Sequence, residues 1–171
     1  FFVVCSNAIH TFADELTGAA TIPMLHIGEV ISERIAKEGM QTVALLGTKL
    51  TMQGTFYKAC LDKHAIKMLL PNQAEQEIID TIIFSELIHG ECNQSSRHTI
   101  NNIIDGLQQL GAQGVILGCT EIPLGIPERK IDQIYCIDTS LVLARALIQE
   151  FKPEKLIPWS WKKLKECFHE K

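Results

Sequence analysis

Gly114-Val-Ile-Leu-Gly-Cys-Thr-Glu-Ile-Pro-Leu124 decides how the chain is read. Val115 to Leu117 is a short apolar run of the kind a buried strand needs, and Gly118 ends the regular pattern, so Cys119 and Thr120 fall at the strand's C-terminal edge. In an open α/β sheet that edge is where ligands bind. The start of the chain has the same form: Phe1 to Val4 reads as a strand, followed by Cys5, Ser6 and Asn7, with a short helix expected from His10 to Leu16. Two cysteines at two strand ends point to a paired site.

Working outward, Ile22 to Ile27 is expected to be extended, because Pro23 keeps the residue before it out of the helical region. Glu29 to Glu38 reads as an amphipathic helix stopped by Gly39, and Thr42 to Leu46 as an internal strand. Gly47 and Thr48 open a loop before a helix reaching about Lys63, and Ile66 to Leu70 is the next strand. Apolar residues at helical spacing predict helices over 74–89 and 93–110, each closed by a glycine. Ile122 to Pro127 reads as a proline-interrupted turn, Gln133 to Ile137 as a last strand, and Leu141 to Phe151 as a helix. Strand followed by helix, repeatedly, predicts parallel strands joined by right-handed crossovers, an α/β architecture.

A chain of 171 residues, 46% apolar and 21% charged, has enough apolar sequence for a substantial core in one domain or two small lobes. The formal charge of −4 gives no electrostatic footprint for nucleic acid, and no apolar run approaches a membrane span, so a cytoplasmic protein is expected. Six cysteines (Cys5, Cys60, Cys92, Cys119, Cys136, Cys167) are dispersed without a Cys-x-x-Cys pair and read as free thiols. No His or Cys pair has metal-ligand spacing, so no metal is expected. A start at Phe-Phe within a strand, without Met, suggests an N-terminal truncation. Residues 152–171 form a basic, aromatic tail with six lysines, Trp159, Trp161 and Phe168, read as a peripheral segment covering apolar surface.

Two facing thiols suit one chemistry in particular. Removing a proton from a carbon next to a carboxylate takes a base, and returning it from the opposite face takes an acid. A thiol of pKa near 8.5 can serve as either, because helix N-termini and backbone N–H groups lower its pKa. Asn7 and Thr120, beside backbone amides at the turns, are suited to hold a carboxylate and the charge developing on it. No cofactor is required. His10 and His26 fit either a hydrogen bond that fixes the cleft or proton transfer. Thr48 fits either an N-cap or a substrate contact. Glu121 fits a partner for a cysteine or the substrate amine, and equally a carboxylate at a helix start.

Val4-Cys-Ser-Asn-Ala-Ile-His10 and Gly118-Cys-Thr-Glu-Ile-Pro123 resemble the two signatures of the aspartate/glutamate racemase family. Met24-Leu-His-Ile27, Leu46-Gly-Thr-Lys-Leu-Thr-Met52 and Ile83-Phe-Ser-Glu-Leu-Ile-His-Gly90 also resemble family stretches, in the same order, so the likeness covers about Phe1 to Phe151. The resemblance implies two pseudo-symmetric α/β lobes with parallel sheets flanked by helices, one cysteine coming from each. By that template residues 28–127 make a complete second lobe, and residues 1–27 with 128–151 make an incomplete first lobe.

The resemblance also implies cofactor-independent racemisation of aspartate or glutamate, with Cys5 and Cys119 as the acid/base pair. Asn7, Ala8, Thr48, Thr120 and Glu121 would line the substrate, His10 would support it, and a homodimer is implied. Ala8 departs from the family's hydroxyl at that position, and losing a hydrogen bond to a charged group costs about 1.5–3 kcal/mol. A hydantoin racemase or maleate isomerase activity, and a silent amino-acid-binding module, are the alternatives.

Overall fold

A computed structural model describes residues 1–126, 130–131 and 134–156. Strands β1 (Thr42–Leu46), β2 (Lys67–Leu69), β3 (Gly114–Leu117), β4 (Lys130–Ile131) and β5 (Ile134–Asp138) form a sheet in the order β2-β1-β3-β5-β4. The first four in that order are parallel, and β4 runs antiparallel to β5. Central strands of such a sheet are covered on both faces, which calls for continuous apolar runs. Val43 to Leu46 and Val115 to Leu117 answer this, each residue at most 3% exposed.

The helices are α1 (Ala13–Ala19), α2 (Ile27–Lys37), α3 (Lys49–Gln53), α4 (Phe56–Asp62), α5 (Gln73–Ser85), α6 (Gln94–Gln109), α7 (Ile122–Gly125) and α8 (Thr139–Phe151). The crossover from β1 to β2 runs one way along the sheet and the crossover from β2 to β3 runs back past β1. Right-handed connections therefore put α4 on one face and α5 with α6 on the other. Helix packing agrees: α2 rests on α4 and α8, and α5 rests on α6. Ile27, Ile31 and Ile35 make the buried face of α2, while Ile100, Ile103, Ile104 and Leu107 make that of α6. Asn72 and Glu75 close α5 with a reciprocal capping box.

Several expectations are corrected. Phe1–Val4 is not a laddered strand: Phe2 alone bridges Met24, in parallel. The helix expected up to Lys63 breaks into α3 and α4 at Gly54, whose backbone is extended. The first short helix begins as a 3-10 turn, Ala8–Phe12, before α1. Not every apolar residue of the helices expected over 74–89 and 93–110 is buried: Ile78, Ile88 and Leu110 are exposed.

The boundary at 127 does not divide the sheet. Tyr135 to Asp138 of β5 pair with β3, and α8 lies on α2. The physical reason is that β3, a central strand, needs a ladder partner on the side away from β1, and Tyr135, Cys136, Ile137 and Asp138 supply it. Of the tail, residues 152–156 hold a 3-10 turn, Pro153–Lys155, and Trp159, Trp161, Cys167 and Phe168 lie outside the described residues.

Candidate active site

The order in which the chain adds strands reverses between the parallel neighbours β1 and β3, and the crevice beyond their C-terminal ends is where such a sheet binds ligands. Two glycines floor it. Gly118 N–H donates to the Leu46 carbonyl at 2.6 Å. A Cβ on Gly118 would meet that carbonyl at 2.8 Å, and one on Gly47 would meet the Gly118 carbonyl at 3.1 Å. Only glycine lets the two strand ends approach this closely.

Cys119, half-buried, follows at once and its Sγ donates to Glu121 Oε2 at 2.9 Å. Burial, reinforced by the Glu121 carboxylate, pushes this thiol up to about 12, although the Glu121 and Ile122 amides pull the other way. Cys119 is therefore a protonated thiol at neutral pH. Burial alone would raise Glu121, but hydrogen bonding from Cys119 and Thr120 holds its carboxyl below the usual range. Thr120 itself is exposed. Thr48 caps α3, its hydroxyl accepting from Thr51 N–H at 3.4 Å.

The other cysteine, Cys5, is exposed and lies just ahead of the 3-10 turn. Ala8, half-buried, opens that turn and offers no hydroxyl. Buried His10 donates from Nδ1 to the Ser6 carbonyl at 2.8 Å, which leaves Nε2 as a bare acceptor, buried and without a partner among the described residues. His26 has the opposite tautomer, since its Nδ1 accepts from Gly28 N–H at 3.1 Å and so caps α2. The rings meet edge to face at 4.8 Å, with Phe56 against both. Burial lowers the pKa of both histidines, and mutual repulsion lowers His26 further, so both are neutral at pH 7.

Asn7 ties the two cysteine stretches together. It is 3% exposed, and its Oδ1 accepts from the Tyr57 hydroxyl at 2.5 Å while its Nδ2 donates to Thr139 Oγ1 at 3.0 Å. Thr139 in turn donates to the Leu117 carbonyl, two residues before Cys119, at 2.9 Å. Tyr57 and Thr139 were not among the residues singled out from the sequence. Thr139 carried a readable signal, a polar residue at the end of β5, which is the position rule that identified Cys119. Tyr57 carried none, being one buried position on the apolar face of α4.

A second thiol stands beside a carboxylate elsewhere. Cys60 on α4 donates to Glu29 Oε1 at 3.4 Å, Lys63 binds the same carboxylate, and burial with Glu29's charge pushes the Cys60 thiol up to about 12. Among the described residues no group of three or more His, Cys, Asp or Glu side chains comes together to hold a metal ion, and no helix is long and apolar enough to cross a membrane.

Comparison with known proteins bears on this arrangement. The family described as Asp/Glu/Hydantoin racemase matches residues 1–147. The broad specificity amino-acid racemase RacX of Bacillus subtilis is 23% identical over 152 residues, covering 88% of this chain and 64% of that protein. Two solved structures are each 34% identical over 86% of this chain. One is a candidate Asp/Glu racemase from Yersinia pestis, with TM-score 0.80 and 64% of its length covered. The other is an aspartate racemase homologue from Pyrococcus horikoshii, with TM-score 0.76 and 65% covered. The chain thus spans slightly under two thirds of the length of these relatives.

Proposed function

Because the chain belongs to the Asp/Glu/Hydantoin racemase family, we propose that it racemises an amino acid, aspartate or glutamate foremost, by proton transfer between two cysteines. The observation that carries the reading is the continuous hydrogen-bonded path from the Cys5 stretch, through Asn7 and Thr139, to the strand end that bears Cys119. One cysteine as thiolate removes the α-proton, and the thiol of the other delivers its proton to the opposite face. The pair leaves with its protonation exchanged, ready for the reverse direction.

In the resting protein Cys119 has the role of acid, its thiol held protonated against Glu121. Once Cys119 gives up its proton, the Glu121 and Ile122 amides stabilise the sulfur anion that remains. Thr120, exposed beside it, is available to the substrate carboxylate. The chemistry calls on no cofactor, and cytoplasmic amino acids are the substrate pool. Residues 1–27 would belong to a first lobe facing this one, and a homodimer is part of the same proposal.

Ala8 favours a second reading, a module that binds an amino acid without turning it over. Solvent deuterium incorporation at Cα of L-aspartate and L-glutamate, followed by NMR, separates the two. Exchange that requires both Cys5 and Cys119 supports the racemase, whereas ligand-induced stabilisation of the folded protein without exchange supports the module.

A further inference from the structure

The proton arrangement along the Asn7 path is fixed from one end. A backbone carbonyl only accepts, so the Thr139 hydroxyl spends its proton on Leu117, and its oxygen must accept from Asn7 Nδ2. That orients the Asn7 amide, leaving Oδ1 to face Tyr57, whose hydroxyl must therefore donate. Tyr57 is fully buried, Thr139 is 1% exposed and Asn7 3%. Buried away from the surface, each of these groups finds its hydrogen bond in the others. The path joins α4, the Cys5 stretch, the start of α8 and the end of β3, four segments brought together only by the fold.

We infer that Tyr57 and Thr139 are positioning residues for the reaction: by locking Asn7 from both sides, they set the register of the Cys5 loop against the Cys119 strand end. This rests on the racemase reading. Neither hydroxyl is assigned contact with substrate. They act through Asn7, one residue beyond Ser6 and two beyond Cys5. A two-base reaction is sensitive to that register, since a displacement of about 1 Å between reacting groups can cost about 100-fold in rate.

The intermediate carbanion has two fates. Protonation by the opposite thiol inverts the centre, whereas return of a solvent-exchanged deuteron from the thiol that removed the proton gives exchange without inversion. If register is lost, the second fate gains on the first. The test uses purified wild type, Tyr57→Phe, Thr139→Val and Thr139→Ser, with Cα deuterium exchange and inversion measured on the same sample per folded molecule. Tyr57→Phe and Thr139→Val should lower kcat for inversion by about 10- to 100-fold, with KM little changed and the ratio of exchange to inversion raised. Thr139→Ser keeps the hydroxyl and should restore the wild-type ratio.

A role confined to stability would reduce the folded fraction and leave the ratio where it was. That result in both Tyr57→Phe and Thr139→Val, with wild type active, would overturn this inference alone. Absence of exchange in wild type would overturn the racemase reading and this inference with it. Should Thr139→Val fail to fold, Tyr57→Phe and Thr139→Ser still decide the matter.

Discussion

Cys119 and Cys60 have nearly the same immediate chemistry and opposite prospects. Each thiol donates to a glutamate, at 2.9 Å and 3.4 Å, and each is pushed up to about 12 by burial and that glutamate's charge. Cys119 stands at the end of a central strand, beside backbone amides and over a floor of two glycines. Cys60 is wedged between α4 and α2, where its sulfur lies 2.9 Å from the position a Cβ on Gly28 would take, and Lys63 occupies the carboxylate from outside. A perturbed thiol beside a carboxylate therefore does not define a site. What separates Cys119 from Cys60 is its placement where the strand order reverses.

The largest effect expected from this contrast is at the sulfur itself. Cys119→Ala should reduce amino-acid inversion by about 100- to 10,000-fold, the range for loss of a general acid or base, while Cys60→Ala should leave turnover essentially unchanged. Equal loss in both, per folded molecule, would break the comparison.

Next come the two glutamates. Glu121→Gln removes the charge that reinforces burial in raising the Cys119 pKa, so alkylation of Cys119 should accelerate at pH 8 while inversion slows about tenfold. Glu29→Gln should speed alkylation of Cys60 alone and leave inversion intact. Mass spectrometry of the alkylated peptides reads both.

A smaller effect concerns the histidines beside the Cys60 helix pair. His10 and His26 have folded pKa values below their ordinary 6.5 because burial disfavours the cation. Their neutral forms contribute stability that is present above pH 6.5 and is lost as pH falls through the lowered folded values. Urea midpoints should therefore drop between about pH 7 and pH 5, and the drop should be shallower in His10→Gln. An equal drop in that variant would remove His10 from the account. The smallest effect belongs to Lys63→Met, since exposed ion pairs contribute little. Its melting temperature and turnover should match wild type.

Legibility followed the range of the interactions involved. β1 and β3 were readable because continuous apolar runs report burial on both faces, and the stops at Gly39, Gly90 and Gly111 were readable because all three adopt positive φ. The break at Gly54 was not, because its extended backbone depends on tertiary context. The lobe boundary at 127 was drawn from a template, whereas the partner of β3 is settled by long-range pairing that no local pattern encodes. At the candidate site, Cys119 and Glu121 lie two residues apart and their relation could be weighed directly. The partners of Asn7 lie 50 and 132 positions away, so the path that joins the two cysteine stretches had no footprint in either.

The pairing of β1 with β3 also carries a kinetic consequence. These strands are parallel neighbours separated in sequence by α3, α4, β2, α5 and α6, so the intervening chain must close before the first β1–β3 hydrogen bond can form. The bond from Gly118 N–H to the Leu46 carbonyl lies at the far end of that ladder. The crevice should therefore mature late: in pulse-labelled hydrogen exchange during refolding, the Gly118 amide should gain protection after those of α6, and earlier protection would show that the strand ends nucleate the fold. Until the ladder closes, the strand end that bears Cys119 is not held beside the end of β1, and the crevice does not yet exist.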